Sequence, residues 1–254
     1  MYGTPTPNSD WLSIPGPFVA TFASLQLRVA RTGDSGPTYE DLLYVRGQAY
    51  GLPARETAAA FDGYSELYCG YIADRPVAAF AATRAIRGRV DCEEFYPGNF
   101  VSAFRHKLTS TARYCRIPNP AVGNQVAQLM VGLSLRDQIV EYGARVFVGN
   151  TQAHLLNYYS RLGYQIVSGQ AFIHPRWQTR SVVLIASDLQ KFRGLAPANT
   201  ELPDPVLREE LAQHVRFCNM NGRRFPKHTA CACMLAPDAA CAFVEVDRPQ
   251  VAAE

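Results

Sequence analysis

The sequence has 254 residues, of which 48% are hydrophobic, and its formal net charge is +3. This composition supports a packed α/β domain and excludes wholesale disorder. The small charge, without a Lys/Arg block, argues against a dedicated nucleic-acid binder. No apolar run approaches the ~20 residues of a membrane span. Residues 1–18 lack the pattern of a secretory signal, so we expect a cytoplasmic protein.

Hydrophobic periodicity predicts the elements in chain order. Residues 1–22 are rich in proline and glycine and indicate an extended arm. The predicted elements are a strand at 25–30, a helix at 39–50, a hairpin of strands at 66–73 and 77–86, a strand at 108–117, a helix at 125–142, a strand at 144–148, a helix at 153–162, strands at 164–167 and 181–186, a linker at 194–205 and a helix at 206–217. The last 36 residues match no clear pattern.

This order of elements is typical of a mixed α/β fold with helices on both faces of the sheet. A helix joins the strands at 108–117 and 144–148, so we expect these strands to be parallel neighbours. A break with helix-start residues is predicted at Asn150-Thr151, directly after the second strand. Parallel strands that splay apart open a crevice at their carboxyl ends, where open α/β sheets bind ligands.

Two loops and a pair of tyrosines contain the first candidate functional residues. Gly123 precedes a long predicted helix, and the N–H groups there either bind a phosphate or, as we favour from the local residues, only shape a turn. Tyr158 and Tyr159 fall near the end of the 153–162 helix, where a phenol acts as a general acid or simply packs. The acidic stretch with Asp91 and Glu94 either serves an amine nucleophile or, more commonly, is a solvated loop.

Three arginines lie in otherwise apolar elements: Arg46, Arg84 and Arg113. Arginine is costly to bury unless it is paired. A pocket for a substrate carboxylate and an internal ion pair, with Asp62 as the partner, explain them equally well.

Seven cysteines occur at irregular spacing, and the sequence favours free thiols. Cys231-Ala-Cys233 resembles half of a metal site, with His228 as the one nearby histidine. Because no CxxC motif accompanies it, small buried residues are the favoured interpretation, and no metal is expected.

The segment NTQAHLLNYYSRLGY resembles the Asn-x-x-Ala … Tyr-x-x-x-Gly-aromatic motif of the GNAT acyltransferase superfamily. The matching positions are Asn150, Ala153, Tyr159, Gly163 and Tyr164, with one residue inserted before the tyrosine. The spacing to Gly163 selects Tyr159 over Tyr158. The pyrophosphate loop of the superfamily is matched in part by residues 119–123. The resemblance implies a GNAT-like mixed sheet with a splayed parallel pair, in a domain at 23–193 between the arm and an extension at 194–254.

The N-terminal half resembles two related groups, the N-acyl amino acid synthases and the acyl-homoserine-lactone (autoinducer) synthases. The similar positions are Arg46, Asp62, Thr83-Arg84, Phe95 and Ala112-Arg113. The autoinducer synthases usually have a Glu where this chain has Ser110, and a tryptophan after the first helix that is missing here. These departures favour the N-acyl amino acid synthase side.

The resemblance implies that an amine attacks a thioester of acyl carrier protein (phosphopantetheine) or coenzyme A. Its implied catalytic residues are Tyr159, which protonates the departing sulfur, and Glu94, which serves the amine. The implied donor-binding residues are Ile117, whose neighbouring N–H groups polarise the carbonyl, and Val122, Gly123, Asn124 and Asn150. The implied acceptor-binding residues are Arg46, Asp62, Arg84 and Arg113.

Alternatives to long-chain acyl transfer are an N-acetyltransferase that uses acetyl-CoA, an acyl-homoserine-lactone synthase and a non-catalytic binding protein. A basic stretch at Arg223-Arg224 and Lys227-His228 has the charge to contact an acidic carrier protein.

Overall fold

The computed structural model describes residues 18–22, 25–31, 39–117, 125–161, 163–186, 205–226, 229–236 and 239–245. Its strands are β1 Phe18–Phe22, β2 Leu25–Arg31, β3 Glu66–Ile72, β4 Arg75–Arg84, β5 Leu108–Arg116, β6 Val146–Gln152, β7 Gln165–Ile173, β8 Arg180–Ala186, β9 Thr229–Cys231 and β10 Phe243–Glu245. Its α-helices are α1 Tyr39–Tyr50, α2 Phe100–Phe104, α3 Gln125–Tyr142, α4 Leu156–Arg161, α5 Pro205–His214 and α6 Ala232–Leu235. None of these helices combines the length and apolar character that crossing a membrane requires.

The first of two compact units comprises residues 1–88, 111–143 and 192–200. Its strands follow the order β1-β2-β3-β4, all antiparallel, and continue into residues 111–116 of β5. Helix α1 begins with Glu40 and Asp41, whose charges suit the positive end of the helix dipole. Leu42 and Val45 of α1 are fully buried and belong to one core cluster with side chains of β3, β4 and β5.

The second unit comprises residues 89–110, 144–191 and 201–254, with the strand order β5-β6-β8-β7. The first residues of β5 run parallel to β6, with registers from Leu108↔Val146 to Ser110↔Val148. Strand β8 is antiparallel to both β6 and β7. A separate two-stranded ribbon pairs β10 with β9. The predicted mixed α/β class and the predicted parallel pair are therefore confirmed.

Two sequence predictions in this region need correction. The break expected at Asn150-Thr151 is wrong, because these residues continue β6 and pair with Val183 and Val182 of β8. The end of the predicted arm forms β1, which pairs with β2 from Phe18↔Val29 to Phe22↔Leu25. Alternation along these short strands is too weak a signal to outweigh the local proline and turn residues.

Gly47 offers a stability prediction for α1. A Cβ at this buried position would lie 3.0 Å from the Leu52 carbonyl oxygen and 3.1 Å from the Ala54 Cα, both of them backbone atoms. We expect Gly47→Ala to lower the free energy of unfolding by about 1 kcal/mol, because overpacking of about 1–3 kcal/mol exceeds the helix-propensity gain of about 1 kcal/mol. Urea unfolding followed by circular dichroism measures the change.

Gly63 is the matched control, because it lies in the short 3₁₀ helix Asp62–Tyr64 with nothing within 4 Å of its added Cβ. Gly63→Ala should change the free energy of unfolding by no more than about 0.5 kcal/mol. A Gly47→Ala variant more stable than the parent would show that the Leu52–Ala54 backbone yields to the methyl group.

Candidate active site

Tyr159 is carried by a strand–helix–strand whose helix ends in a well-defined cap. The chain passes from β6 through a 3₁₀ turn, Ala153–Leu155, into α4. The N–H of Tyr164 donates to the Tyr159 carbonyl at 3.1 Å, and the N–H of Gly163 donates to the Ser160 carbonyl at 3.1 Å. Gly163 has φ of 92°, so this pair of bonds is a Schellman motif that suits glycine. The predicted cap at Gly163 is confirmed.

The Tyr159 side chain lies among other tyrosines. Its ring contacts Tyr158 and Tyr164 in edge-on geometry, with centroids 5.3 and 5.6 Å away. Burial raises the pKa of the Tyr159 phenol to about 12. Since the anion is the disfavoured form, the phenol keeps its proton at neutral pH and is available to donate it.

Tyr96 and Ser110 place two further hydroxyl groups in the same unit. Ser110 is the last residue of β5 in parallel register with β6, and both side chains are buried. Burial, together with the charge of Asp91, raises the pKa of Tyr96 well above its ordinary value. The Ser110 hydroxyl lies close enough to the Tyr96 hydroxyl to offset part of this rise, although their contact does not have the geometry of a full hydrogen bond. Each of these hydroxyls can still bond a further polar atom, such as one of a ligand or a water.

The second unit also contains the predicted site residues Asn150 and Glu94. Asn150 lies within β6 opposite Val183 of β8. Glu94 is exposed and accepts a 2.7 Å hydrogen bond from the Arg89 guanidinium. The neighbouring Phe95 stacks on Phe172 with ring centroids 4.1 Å apart.

The first unit holds Arg46 and Asp62 in a buried ion pair. Arg46 Nη1 donates to Asp62 Oδ2 at 2.6 Å, and Arg46 Nη2 donates to Oδ1 at 3.1 Å. Asp62 Oδ2 also accepts from the Tyr39 hydroxyl at 2.9 Å and from the Ala59 N–H at 2.8 Å. Burial opposes the charge of Asp62, but these donors hold its pKa below the ordinary value. Of the two arrangements considered for Arg46, the structure forms the internal ion pair.

Arg84 and Arg113 lie against aromatic rings of the same unit. The Arg84 guanidinium carbon is 3.6 Å from the centroid of the Tyr142 ring. Arg113 Nη1 donates to the Thr57 carbonyl at 3.0 Å, and its guanidinium lies 5.0 Å from the Phe61 ring centroid. Arg113 lies within β5 and has φ of 56°, a left-handed conformation that is rare for a non-glycine residue.

The predicted donor-binding residues are described only in part. The N–H of Ile117 donates to the Val77 carbonyl at 2.8 Å, so a carbonyl-polarising donor would have to be a neighbouring N–H. Val122, Gly123 and Asn124 lie outside the described residues.

Cys92 and His174 form a buried contact that the sequence analysis missed. Cys92 Sγ is 3.5 Å from His174 Nε2, and Cys92 has φ of 55°. His174 Nδ1 accepts the N–H groups of Arg176 and Trp177 at 3.1 and 3.4 Å. These two donors assign the ring proton to Nε2, which leaves His174 no basic nitrogen towards Cys92. The pair therefore lacks the chemistry of a nucleophile and its base.

No protein-family model and no curated protein matches the sequence. The structure is similar to an acyl-CoA N-acyltransferase from Pseudomonas aeruginosa, at 13% identity and a TM-score of 0.46 over 63% of this chain and 99% of that one. It is also similar to a GNAT family acetyltransferase from Elizabethkingia anophelis with acetyl-CoA bound, at 13% identity and a TM-score of 0.42 over 63% and 97%. A third similar structure, aminoglycoside 6'-acetyltransferase type Ii, has 13% identity and a TM-score of 0.44 over 63% and 96%. At these values the similarity assigns no activity to this chain.

Proposed function

We propose that this chain is an N-acyltransferase. It moves an acyl group, long-chain rather than acetyl, from the thioester of an acyl carrier protein or coenzyme A to the amine of an amino acid or a related small molecule. The observation that carries the proposal is the half-buried Tyr159 phenol, whose pKa is raised to about 12, so that it keeps its proton at neutral pH. It follows a strand whose parallel neighbour ends its register at Ser110.

The chemistry needs few groups from the protein. The amine nitrogen attacks the thioester carbonyl carbon, and a tetrahedral intermediate forms. Collapse of this intermediate re-forms the carbonyl and breaks the carbon–sulfur bond, while the Tyr159 hydroxyl gives its proton to the departing sulfur. The attacking nitrogen loses a proton to a base, for which Glu94 is the proposed residue, and solvent returns a proton to Tyr159.

The buried hydroxyls of Tyr96 and Ser110 support a ligand on this side of the tyrosine cluster. Both are buried, and a contact with the Ser110 hydroxyl partly offsets the raised pKa of Tyr96, so the two hydroxyls lie beside each other. A polar ligand atom next to them would replace water without leaving a buried hydroxyl unpaired. A thioester carbonyl or an acceptor amine has the required acceptor or donor.

The remaining assignments belong to the proposal through the sequence resemblance. They give donor binding to Ile117, Val122, Gly123, Asn124 and Asn150. They give recognition of the acceptor carboxylate to Arg84 and Arg113. Arg46 and Asp62, already bound to each other, would shape the acceptor pocket through their ion pair.

Product mass spectrometry after incubation with a thioester series and an amino-acid panel tests the proposal. The series runs from acetyl to long-chain acyl groups, each presented on coenzyme A and on acyl carrier protein. We expect an N-acyl amino acid whose yield rises with chain length. A preference for acetyl would contradict the long-chain assignment, a lactone product would indicate an autoinducer synthase, and no thioester binding by calorimetry would contradict an enzyme of either kind.

A further inference from the structure

Four cysteines of the segment from Cys218 to Cys241 converge in the second unit. Cys218 follows a β-bridge between Val167 and Phe217, while Cys231 and Cys233 flank the junction of β9 and α6. Cys241 lies two residues before β10. The four Sγ atoms all lie within 4.8 Å of one another.

The spacing of the sulfurs matches a tetrahedral metal site. Four thiolates bound to Zn²⁺ at about 2.3 Å have their sulfurs about 3.8 Å apart. Here the Cys218 and Cys241 sulfurs are 3.9 Å apart, and the Cys231 and Cys233 sulfurs are 3.3 Å apart. A pair of disulfides would require sulfurs at about 2.05 Å and leaves unexplained why all four sulfurs meet at one point.

Two of the four sulfurs also accept a hydrogen bond from an N–H or hydroxyl donor. The Met220 N–H donates to Cys218 Sγ at 3.4 Å, and the Ser168 hydroxyl donates to Cys233 Sγ at 3.4 Å. Donors of this kind orient metal-bound thiolates and stabilise their negative charge.

We propose that Cys218, Cys231, Cys233 and Cys241 bind one zinc ion in a closed, structural tetrathiolate site. Soft thiolate ligands in tetrahedral geometry select zinc over hard cations such as Mg²⁺ and Ca²⁺. Cys218, Cys231 and Cys233 are buried, and with four protein ligands no position is open for substrate, so the site does no chemistry of its own. This inference is independent of the acyl-transfer proposal and replaces the expectation of plain buried thiols.

A metal ion at the four sulfurs would stabilise the ribbon formed by β9 and β10. Strands β9 and β10 pair over three residues each, and a two-stranded ribbon of that length is marginal without further support. Hydrogen bonds hold the segment that precedes the ribbon against β7. The Cys218 N–H donates to the Ile166 carbonyl at 3.0 Å, and the Asn221 side-chain amide forms two hydrogen bonds with the Ile166 backbone. A metal at the four sulfurs would join the ribbon to this fastened segment.

Elemental analysis of the full-length protein, purified without chelators, tests the site directly. We expect close to one zinc per chain by inductively coupled plasma mass spectrometry. Protein produced in cobalt-supplemented medium should show the intense visible bands and the thiolate charge-transfer absorption of tetrahedral cobalt. A metal-free protein with reduced cysteines, or one whose intact mass reveals disulfides among these four positions, would overturn the proposal.

Variants separate the site from general effects of removing a thiol. Cys233→Ser should lower zinc affinity at least ~10-fold, and Ser168→Ala, which removes only a donor to sulfur, should lower it by a similar factor while all four ligands remain. Cys69→Ala is the matched control, a buried cysteine of the first unit, and should keep its zinc. If Cys233→Ser does not fold, the cobalt spectrum of the parent and the Ser168→Ala affinity still decide. Equal zinc content and affinity in Ser168→Ala and the parent would contradict the assigned sulfur donor, and zinc loss in Cys69→Ala would contradict the site.

Discussion

We expect Tyr159→Phe to lower the turnover number of the proposed acyl transfer by about 100-fold, at the low end of what a general acid contributes, with little change in the Michaelis constant. The substitution removes the phenolic proton and keeps the ring that packs on Tyr158 and Tyr164. Without it, the sulfur departs as an unprotonated thiolate. Steady-state kinetics with the best thioester and amine of the panel measure the loss.

Tyr158→Phe is the matched control, since it removes a neighbouring hydroxyl from the same helix and should retain turnover within about twofold. The pKa of Tyr159 is raised to about 12, so the phenol is protonated on the acid side of that value. The loss in Tyr159→Phe should therefore be constant between about pH 6 and about pH 9. Burial also raises the pKa of a thiol that departs nearby. The pKa values of the phenol and the departing sulfur therefore rise together, and the proton transfer between them stays favourable. Equal turnover in Tyr159→Phe and the parent would remove the assigned role.

We expect Arg46→Met to destabilise the fold by about 3–5 kcal/mol, because it leaves the Asp62 carboxylate buried without its guanidinium. Both partners are almost completely inaccessible, with side-chain exposures of 0% and 3%. Urea unfolding measures the loss. The double variant Arg46→Met/Asp62→Leu should regain most of it, since replacing both charges leaves no unpaired group. A single variant as stable as the parent would show that the pair contributes nothing net.

The same ion pair makes the stability of the fold depend on pH in the acid range, in a direction that can be predicted. The pKa of Asp62 is lower in the folded chain than in the unfolded chain, so its contribution to stability is fully present above the unfolded value of about 3.9. This contribution disappears as the pH falls through the lower, folded value. The stability of the double variant should accordingly depend less on pH below about 4 than that of the parent.

Local patterns account for the parts of the fold that the sequence predicted correctly. The helices at 39–50 and 125–142 have the bounds that helical spacing indicates, and the latter joins the parallel strands β5 and β6 along the chain. The cap at Gly163 was predictable because a left-handed residue after a helix is itself a local requirement, whereas the choice of Tyr159 over Tyr158 rests on the resemblance.

The rest depends on contacts between residues far apart in sequence. Strand β6 continues through Asn150-Thr151 because β8, some thirty residues later, pairs with it. The N–H groups that donate to His174 belong to residues next to it in the sequence. Cys92, which contacts its ring, lies 82 residues away. Cys231-Ala-Cys233 was visible as half a motif, whereas Cys218 and Cys241 become its complement only when the ribbon folds. The spacing of the cysteines in the sequence therefore does not reveal which of them come together.

Helix α4 is only six residues long, too short to be stable alone, and its Asn157 side chain is bonded to the backbone of Phe225 in both directions. The amide nitrogen donates to the Phe225 carbonyl at 2.7 Å, and the amide oxygen accepts the Phe225 N–H at 2.8 Å. A chain shortened to end before Pro205 would keep every residue of the tyrosine motif and lose the backbone that anchors its helix. The C-terminal residues are therefore part of the minimal functional unit, although no catalytic role is assigned to them.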